Sequence, residues 1–336
     1  MKDLISMAIE TSCDETSVAV LKNGRDVLVN LISSQIDVHK RFGGVVPEVA
    51  SRMHLESINN IIEEALEEGD IGFEDLDFIS CTKGPGLIGA LLVGVSASKA
   101  LSYSLGIPLV GVNHMQGHIC ANYISHKELE PPFISLVVSG GHTYLIEVLS
   151  YADYNIIGRT KDDAAGESFD KIGRAMGLSY PGGPQIDRLA KQGNPKAVDF
   201  PRVMMDSKDY DFSFSGLKTA VLNYINHQKQ KEEDLNVEDI CASFQASVMD
   251  VLVEKSFRLA HEKGYKIIAV SGGVAANSEL KKRMEERGQE ENIKIYFPEP
   301  ILCTDNAAMI GCAGYYDFIN GKTEDLDMRV DPNLEL

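Results

Sequence analysis

The chain opens with an apolar run, Leu4 to Ile9, a polar loop from Glu10 through Asp14 to Ser17, and a second apolar run, Val18 to Leu21, closed by the hairpin turn Asn23-Gly24. The same plan returns in mid-chain as Phe133 to Val138, the loop Ser139-Gly140-Gly141-His142-Thr143, and Tyr144 to Leu149. Two such hairpins, each opening one half of the chain, predict a duplicated α/β architecture whose two lobes face each other across a cleft. Bends of small and hydroxylated residues also turn backbone N–H groups into nests for phosphate oxygens. At 336 residues, 44% hydrophobic and 24% charged, the chain can fill two separate cores.

A second feature carries chemistry. In His114-Met115-Gln116-Gly117-His118 two imidazoles lie four residues apart, so on a helix they point along one face and can share a metal ion. Two imidazoles are an incomplete site, and a third ligand, a carboxylate on chemical grounds, has to come from elsewhere and leave open positions for a substrate oxygen. The competing explanation makes one His a satisfied polar group and the other a solvated one. A zincin protease is disfavoured, because its H-E-x-x-H motif keeps Glu directly after the first His and Met115 stands there.

The net charge of -18 argues against a non-specific nucleic-acid binder, which needs clustered Lys and Arg, so any RNA partner is held by a local patch or with help. Six cysteines without a C-x-x-C spacing exclude a zinc ribbon or dithiol motif and suit reduced thiols in a cytoplasm; carboxylates beside Cys13 disfavour its thiolate. No secretory signal is expected at the start, since the run from Leu4 is short and meets Glu10 and Asp14. Leu87 to Val112, the one stretch resembling a membrane span, contains Lys99, Pro108 and several glycines, and is expected to be a buried helix, a turn and a buried strand.

Between the hairpins an amphipathic helix is expected with Leu55, Ile58, Ile62, Ala65 and Leu66 inward and Gly69 as its stop; Glu48, Ser51, Arg52 and His54 are either its solvated first turns or cleft residues. Gly84-Pro85-Gly86-Leu87-Ile88-Gly89 matches a dinucleotide fingerprint, but no acidic residue follows at the ribose position, and close helix packing explains the glycines as well. Asp170 lies beyond the first turn of an acidic helix start, and Pro181-Gly182-Gly183-Pro184 leads into a helix carrying Asp187. These two carboxylates can take ribose hydroxyls. Val237 to Lys263, capped by Asn236, is a core helix, and the strand Lys266 to Val270 runs into a glycine loop, Ser271 to Asn277, where a nucleotide can rest. Asn277 is alternatively an N-cap, and Asp305 in Thr304-Asp305-Asn306 an N-cap or a first-turn acid.

Taken together these motifs closely resemble the TsaD family, the tRNA threonylcarbamoyladenosine transferases once labelled O-sialoglycoprotein endopeptidases. The resemblance covers nearly the whole chain: Lys99-Ala100, Pro108, the His pair, Ser139 to Thr143, Pro181 to Pro184, Ser271-Gly272-Gly273-Val274 and Thr304-Asp305-Asn306 follow in order. The run from Gly43 through Glu48 to Arg52 and His54 is similar to the bacterial branch, and no organelle-targeting extension is expected. The resemblance implies an actin-like, Hsp70-like (ASKHA) two-lobe fold, each lobe a mixed sheet flanked by helices, with the active site in the interlobe cleft. Lobe boundaries are expected at 1–131 plus about 305–336, and 132–304. It further implies His114, His118 and Asp305 as ligands of one divalent metal ion, iron or zinc. Nucleotide contacts fall on Val137, Val138, Ser139, Gly140, Gly141, Asp170, Gly183, Asp187 and Asn277.

The implied reaction moves a threonylcarbamoyl group from threonylcarbamoyl-AMP to N6 of adenosine 37 in tRNA, releasing AMP. Asp14 is the candidate to take the proton of the attacking amine or to orient the cleft. A TsaB-like paralogue and a TsaE-like ATPase are the implied partners, a homodimer the alternative in their absence, and no membrane is involved. A kinase of the same fold is the main rival; it would bind magnesium through carboxylates and phosphates rather than two imidazoles. A non-catalytic assembly partner on this fold would have no use for both His114 and His118.

Overall fold

The computed structural model describes residues 2–231 and 234–336. The chain begins with β1 (Ile5–Glu10), β2 (Glu15–Lys22), β3 (Asp26–Ser34), the short α1 (Ile36–His39) and the long α2 (Pro47–Gly69). Next come β4 (Phe78–Gly84), α3 (Ile88–Leu105), β5 (Leu109–Asn113) and α4 (His114–Ser125). The middle holds β6 (Phe133–Val138), β7 (Thr143–Ser150), β8 (Asp153–Arg159), α5 (Ala165–Ala175), α6 (Gly182–Ala190) and α7 (Ser215–Gln230). After α8 (Val237–Lys263), β9 (Ile267–Ser271), α9 (Ser278–Glu291) and β10 (Lys294–Tyr296), the chain ends with α10 (Pro300–Cys303), α11 (Ala307–Ile319) and a tail.

Two compact units result: residues 1–131 with 150–153 and 298–336, and residues 132–149 with 154–297. The last crossing falls at 297/298 rather than near 305, because α10 packs on α4, where the Glu299 N–H donates to Ser125 Oγ at 2.9 Å. Residues 150–153 join the first unit through Tyr151, stacked on Tyr316 at 4.3 Å.

Each unit is built on a five-stranded mixed sheet, β3-β2-β1-β4-β5 in the first and β10-β9-β6-β7-β8 in the second. In both, the opening strand pairs antiparallel with its hairpin partner on one side (β1 with β2, β6 with β7) and parallel with a later strand on the other (β1 with β4, β6 with β9). The repeated hairpin in the sequence is thus a repeated sheet topology. The hairpin turn is also where it was expected, with Asn23 and Gly24 at φ 53° and 73°.

In the first unit, alternation along β1 separates two faces. Met7 and Ile9 join Ile58, Ile62, Val93 and Val95 in the core under α2 and α3. On the other face α11 lies so close that a Cβ on Gly311 would strike Leu21, with Ala8 next to it. A Cβ on Gly117 of α4 would stand 2.7 Å from Ile310 of α11, so glycine there lets the two helices approach.

The expected face of α2 needs one correction. Ile58, Ile62, Ala65 and Leu66 are buried as expected, but Leu55 is 64% exposed and His54 turns inward with Ile61. His54 is satisfied there by Thr16 Oγ1 at 2.7 Å and the Cys13 carbonyl at 3.0 Å, while Glu48 and Arg52 form an exposed pair. The glycines of the false fingerprint serve packing: a Cβ on Gly86 would meet Ser12, and one on Gly89 would meet Ser51. Among the described residues α3 alone is long and apolar enough to span a bilayer, at mean hydropathy 1.4. It seats Leu91, Val93 and Val95 against the sheet and α2, and Lys99 Nζ donates to the Met328 carbonyl at 2.5 Å.

The second unit is organised around α8, which packs against β6, β9, α6, α7 and α9. Its Lys255 is fully buried, with Nζ donating to Ser207 Oγ at 2.9 Å and to the Asp211 carbonyl, over the ring of Phe212. Burial pushes this ammonium down from 10.5 to about 8. Between those values the unfolded chain binds more protons than the folded one, so folding gains stability as pH rises through that window. The melting temperature of wild type relative to Lys255→Met is therefore expected to be flat below pH about 8 and to climb from there towards pH 10.5. Parallel melting profiles of the two proteins across this range would refute the shift.

Candidate functional site

In the first unit three chain-distant segments meet. Strand β5 ends in Asn113, whose Oδ1 accepts the Met115 N–H at 2.8 Å and caps α4, so the helix starts at His114. One turn later His118 falls on the same face, and the rings sit edge to face with centroids 4.7 Å apart. Asn306, not Asp305, caps α11 by accepting the Met309 N–H at 3.0 Å. Asp305 just before it carries its Oδ1 to 3.3 Å from His114 Nε2 and 3.5 Å from His118 Nε2. Both imidazoles are buried, and one ligand atom from each of the three residues lies within 4.8 Å of the others.

These separations suit a small divalent ion. Ligand atoms at about 2.1 Å from a tetrahedral centre stand roughly 3.4 Å apart, and the two His–Asp distances bracket that value. Three residues of N, N and O type that could hold an ion would leave a position open, the pattern of a catalytic rather than a structural site.

Sequence reasoning assigned no role to the residue behind this set. Glu10, the last residue of β1, is fully buried, with Oε2 3.0 Å from His114 Nδ1 and 2.5 Å from Thr82 Oγ1; Oε1 accepts the Ser12 N–H. Burial alone would raise its pKa, but His114 beside it holds the carboxyl below its ordinary value. For His114, burial works against the charged form, yet Asp305 and Glu10 together lift it well above an ordinary histidine. The available signal was parity: Glu10 continues the Ala8 face of β1, the face covered by α11.

Asp14 sits in the β1–β2 loop, 7% exposed. Its neighbour Glu15 is pushed up to about 10 by burial, then by Asp14 and Asp305, so it carries a proton at neutral pH. The Cys13 thiol is raised well above its usual value by burial and by Asp14, which makes it a packing residue rather than a nucleophile.

The expected nucleotide residues all fall in the second unit. Val137 and Val138 are buried on β6, and the β6–β7 turn is closed by the Ser139 N–H donating to the His142 carbonyl at 2.8 Å. Asp170 accepts the Gly182 N–H at 2.7 Å, tying α5 to the start of α6. Asp187 accepts from Ser278 Oγ at 2.9 Å. Asn277 caps α9 by accepting the Glu279 and Leu280 N–H groups and donates to Gln245 Oε1 at 2.8 Å, so its capping role is real.

The glycines divide into two kinds. A Cβ on Gly166, Gly182 or Gly272 would meet protein backbone at 2.5 to 2.7 Å, at Ser139, Phe169 and Val138 respectively, so these serve packing. Gly140, Gly141 and Gly273 have open space on that side, and Gly183 meets only Phe169 Cβ at 4.0 Å. Backbone without side chains beside open space is what a ligand's close approach requires.

Comparison with known proteins settles the family. The family model TsaD, tRNA N6-adenosine threonylcarbamoyltransferase, matches residues 26–312. The chain belongs to this family. The tRNA N6-adenosine threonylcarbamoyltransferase of Clostridioides difficile (strain 630) is 60% identical over 336 residues, covering 100% of this chain and 99% of that protein. Solved structures share the fold alone. HypF of T. kodakarensis has a TM-score of 0.63 at 16% identity over 95% of this chain and 48% of its own. The activator of the 2-hydroxyisocaproyl-CoA dehydratase from Clostridium difficile, with bound ADPNP, has a TM-score of 0.55 at 13% identity over 94% and 96%. The architecture is the actin-like, Hsp70-like (ASKHA) fold, with two mixed sheets flanked by helices.

Proposed function

We infer that the protein is a metal-dependent cytoplasmic transferase that moves the threonylcarbamoyl group of L-threonylcarbamoyladenylate to N6 of adenosine 37 in tRNA. The observation that carries this is the His114–His118–Asp305 donor set in a chain that matches a threonylcarbamoyltransferase along its full length. In the reaction the N6–carbonyl carbon bond forms, the acyl–phosphate C–O bond breaks with its electron pair leaving on AMP, and the N6 proton departs. A divalent ion, iron by family resemblance or zinc, held by His114, His118 and Asp305 supplies Lewis-acid polarisation when bound.

The remaining work falls to side chains and backbone of this chain. The open turn at Ser139, Gly140 and Gly141, continued from Val137 and Val138, and the loop at Gly273 to Asn277 receive the adenylate where the backbone of Gly140, Gly141 and Gly273 faces open space. Gly183 lets the nucleoside approach α6, where Asp170 and Asp187 accept ribose hydroxyls. Asp14 takes the amine proton; it is nearly buried in the β1–β2 loop, and its neighbour Glu15 is held protonated. Losing a ribose acceptor weakens binding common to ground and transition states, so Asp187→Ala is expected to raise the adenylate KM by about tenfold with little change in kcat. A large loss in kcat at unchanged KM would move Asp187 out of the ribose site.

A TsaB-like paralogue and a TsaE-like ATPase are the expected partners, with a homodimer in their absence. The acidic excess gives them a physical role. The first unit holds 27 Asp and Glu against 11 Lys and Arg, the second 23 against 21, so most of the net -18 lies in the first. The isolated chain is therefore expected to bind tRNA weakly with a shallow salt slope, and more tightly once partners complete a basic surface. Single-turnover transfer of labelled threonylcarbamoyl from the adenylate to tRNA, with and without partners, tests the assignment; no transfer under any combination would overturn it.

A further inference from the structure

We propose that Glu10 is the positioning residue of the donor set: its Oε2, 3.0 Å from His114 Nδ1, accepts the proton of that nitrogen and so fixes the tautomer in which Nε2 faces Asp305. The proposal rests on the reading of His114, His118 and Asp305 as metal ligands, and adds a residue that acts through His114.

Three features single Glu10 out. Its side chain has no exposed surface, and an ionised carboxylate in such a place is costly unless its oxygens are satisfied. They are: Ser12 N–H on Oε1, and Thr82 Oγ1 and His114 Nδ1 on Oε2. Two of those three donors, the Ser12 backbone and the Thr82 hydroxyl, belong to the protein's frame, so the carboxylate is held rigidly and holds the imidazole in turn. Ser12 Oγ, 3.2 Å from the same Nδ1, adds a second polar neighbour on that side of the ring. A histidine whose Nδ1–H is bound in this way offers its Nε2 lone pair in a fixed direction, and the anionic acceptor raises the basicity of that lone pair.

The test reads metal binding by the full-length apo chain, independently of transfer activity. Zn2+ is titrated against a chelator of known affinity, and Co2+ serves as a spectroscopic probe of the ligand field. Glu10→Gln keeps the shape of the side chain but removes its charge and one acceptor; it is expected to weaken Zn2+ binding by roughly ten- to a hundredfold and to alter the Co2+ absorption spectrum. Thr82→Val frees one hold on the carboxylate and should produce a smaller change of the same sign. A role confined to anchoring the β1–β2 loop would lower the melting temperature without moving the Co2+ spectrum. If Glu10→Gln does not fold, Glu10→Asp, which keeps the charge but withdraws it from Nδ1, is expected to show the same losses. Wild-type Zn2+ affinity and an unchanged Co2+ spectrum in the folded variant would overturn the proposal for Glu10 alone. A wild-type chain that takes up neither ion would overturn the donor set itself, and this inference with it.

Discussion

His118→Ala is expected to purify folded but without stoichiometric divalent metal, and to transfer threonylcarbamoyl groups at least about a hundredfold more slowly than wild type. His118 is fully buried in α4, and truncating it opens a small cavity but leaves α4 anchored by the Asn113 cap and by its packing on α11. A site of three ligands that loses one keeps only an imidazole and a carboxylate, too few for tight binding of a divalent ion. His114→Ala and Asp305→Ala are expected to follow it. The loops proposed to receive the adenylate belong to the other unit, so adenylate binding should survive in all three variants, and the defect should appear in kcat rather than KM. If the protein were a kinase of the same fold, the histidines would be packing residues and phosphoryl transfer would survive their loss. Metal analysis, adenylate binding and tRNA transfer on the same preparations decide between these outcomes. Full metal occupancy in any two of the three variants would dismiss the donor set.

Gly272→Ala should cost about 3 kcal/mol or more of stability and lower the melting temperature by roughly 10 °C, whereas Gly273→Ala should fold like wild type and bind the adenylate poorly. The two neighbours differ in what lies beside them. Gly272 has φ +88° and a Cβ there would stand 2.5 Å from the Val138 carbonyl oxygen, backbone against backbone, where no side-chain motion relieves the contact. Gly273 has nothing within 4 Å of that position, so its missing Cβ serves no protein contact. Gly141→Ala is expected to behave like Gly273→Ala, because it too faces open space. Melting curves and adenylate titrations of the three variants are sufficient. Gly273→Ala and Gly141→Ala with wild-type adenylate affinity would remove these turns from the nucleotide site, and a stable Gly272→Ala would show that the β6 and β9 loops can part.

Much of this protein was legible in one dimension because its signals are local. Asn23-Gly24 and the helix from Val237 to Lys263 with its Asn236 cap follow from φ preferences and capping, which need only neighbouring residues. The hairpin repeat is local as well, and it carried the sheet topology with it, since a hairpin dictates an antiparallel partner and leaves the other edge for a parallel strand. The His pair is set by helical periodicity alone. Leu55 failed for an instructive reason: helical spacing marks a stripe, but whether its edge is covered depends on a neighbour, and the sheet took His54 instead because Thr16 and Cys13 offered it hydrogen bonds. The strands β3 and β8 and the helix α7 stood out least in the sequence, because each is half-exposed and mixes polar with apolar residues.

What only the tertiary structure decided is the company each functional residue keeps. Asp305 could have been a helix cap, and it faces two imidazoles because Asn306 took the capping role. Asp170 turns out to hold the Gly182 backbone N–H, which no spacing rule reveals. Glu10 and His114 are separated by 104 residues of chain and meet only because β1 lies beside β4, which pairs with β5, the strand that leads into α4. Periodicity and turn chemistry are properties of adjacent residues and survive in the sequence; a hydrogen bond between a strand end and a helix start depends on strand order, and exists only once the sheet has assembled.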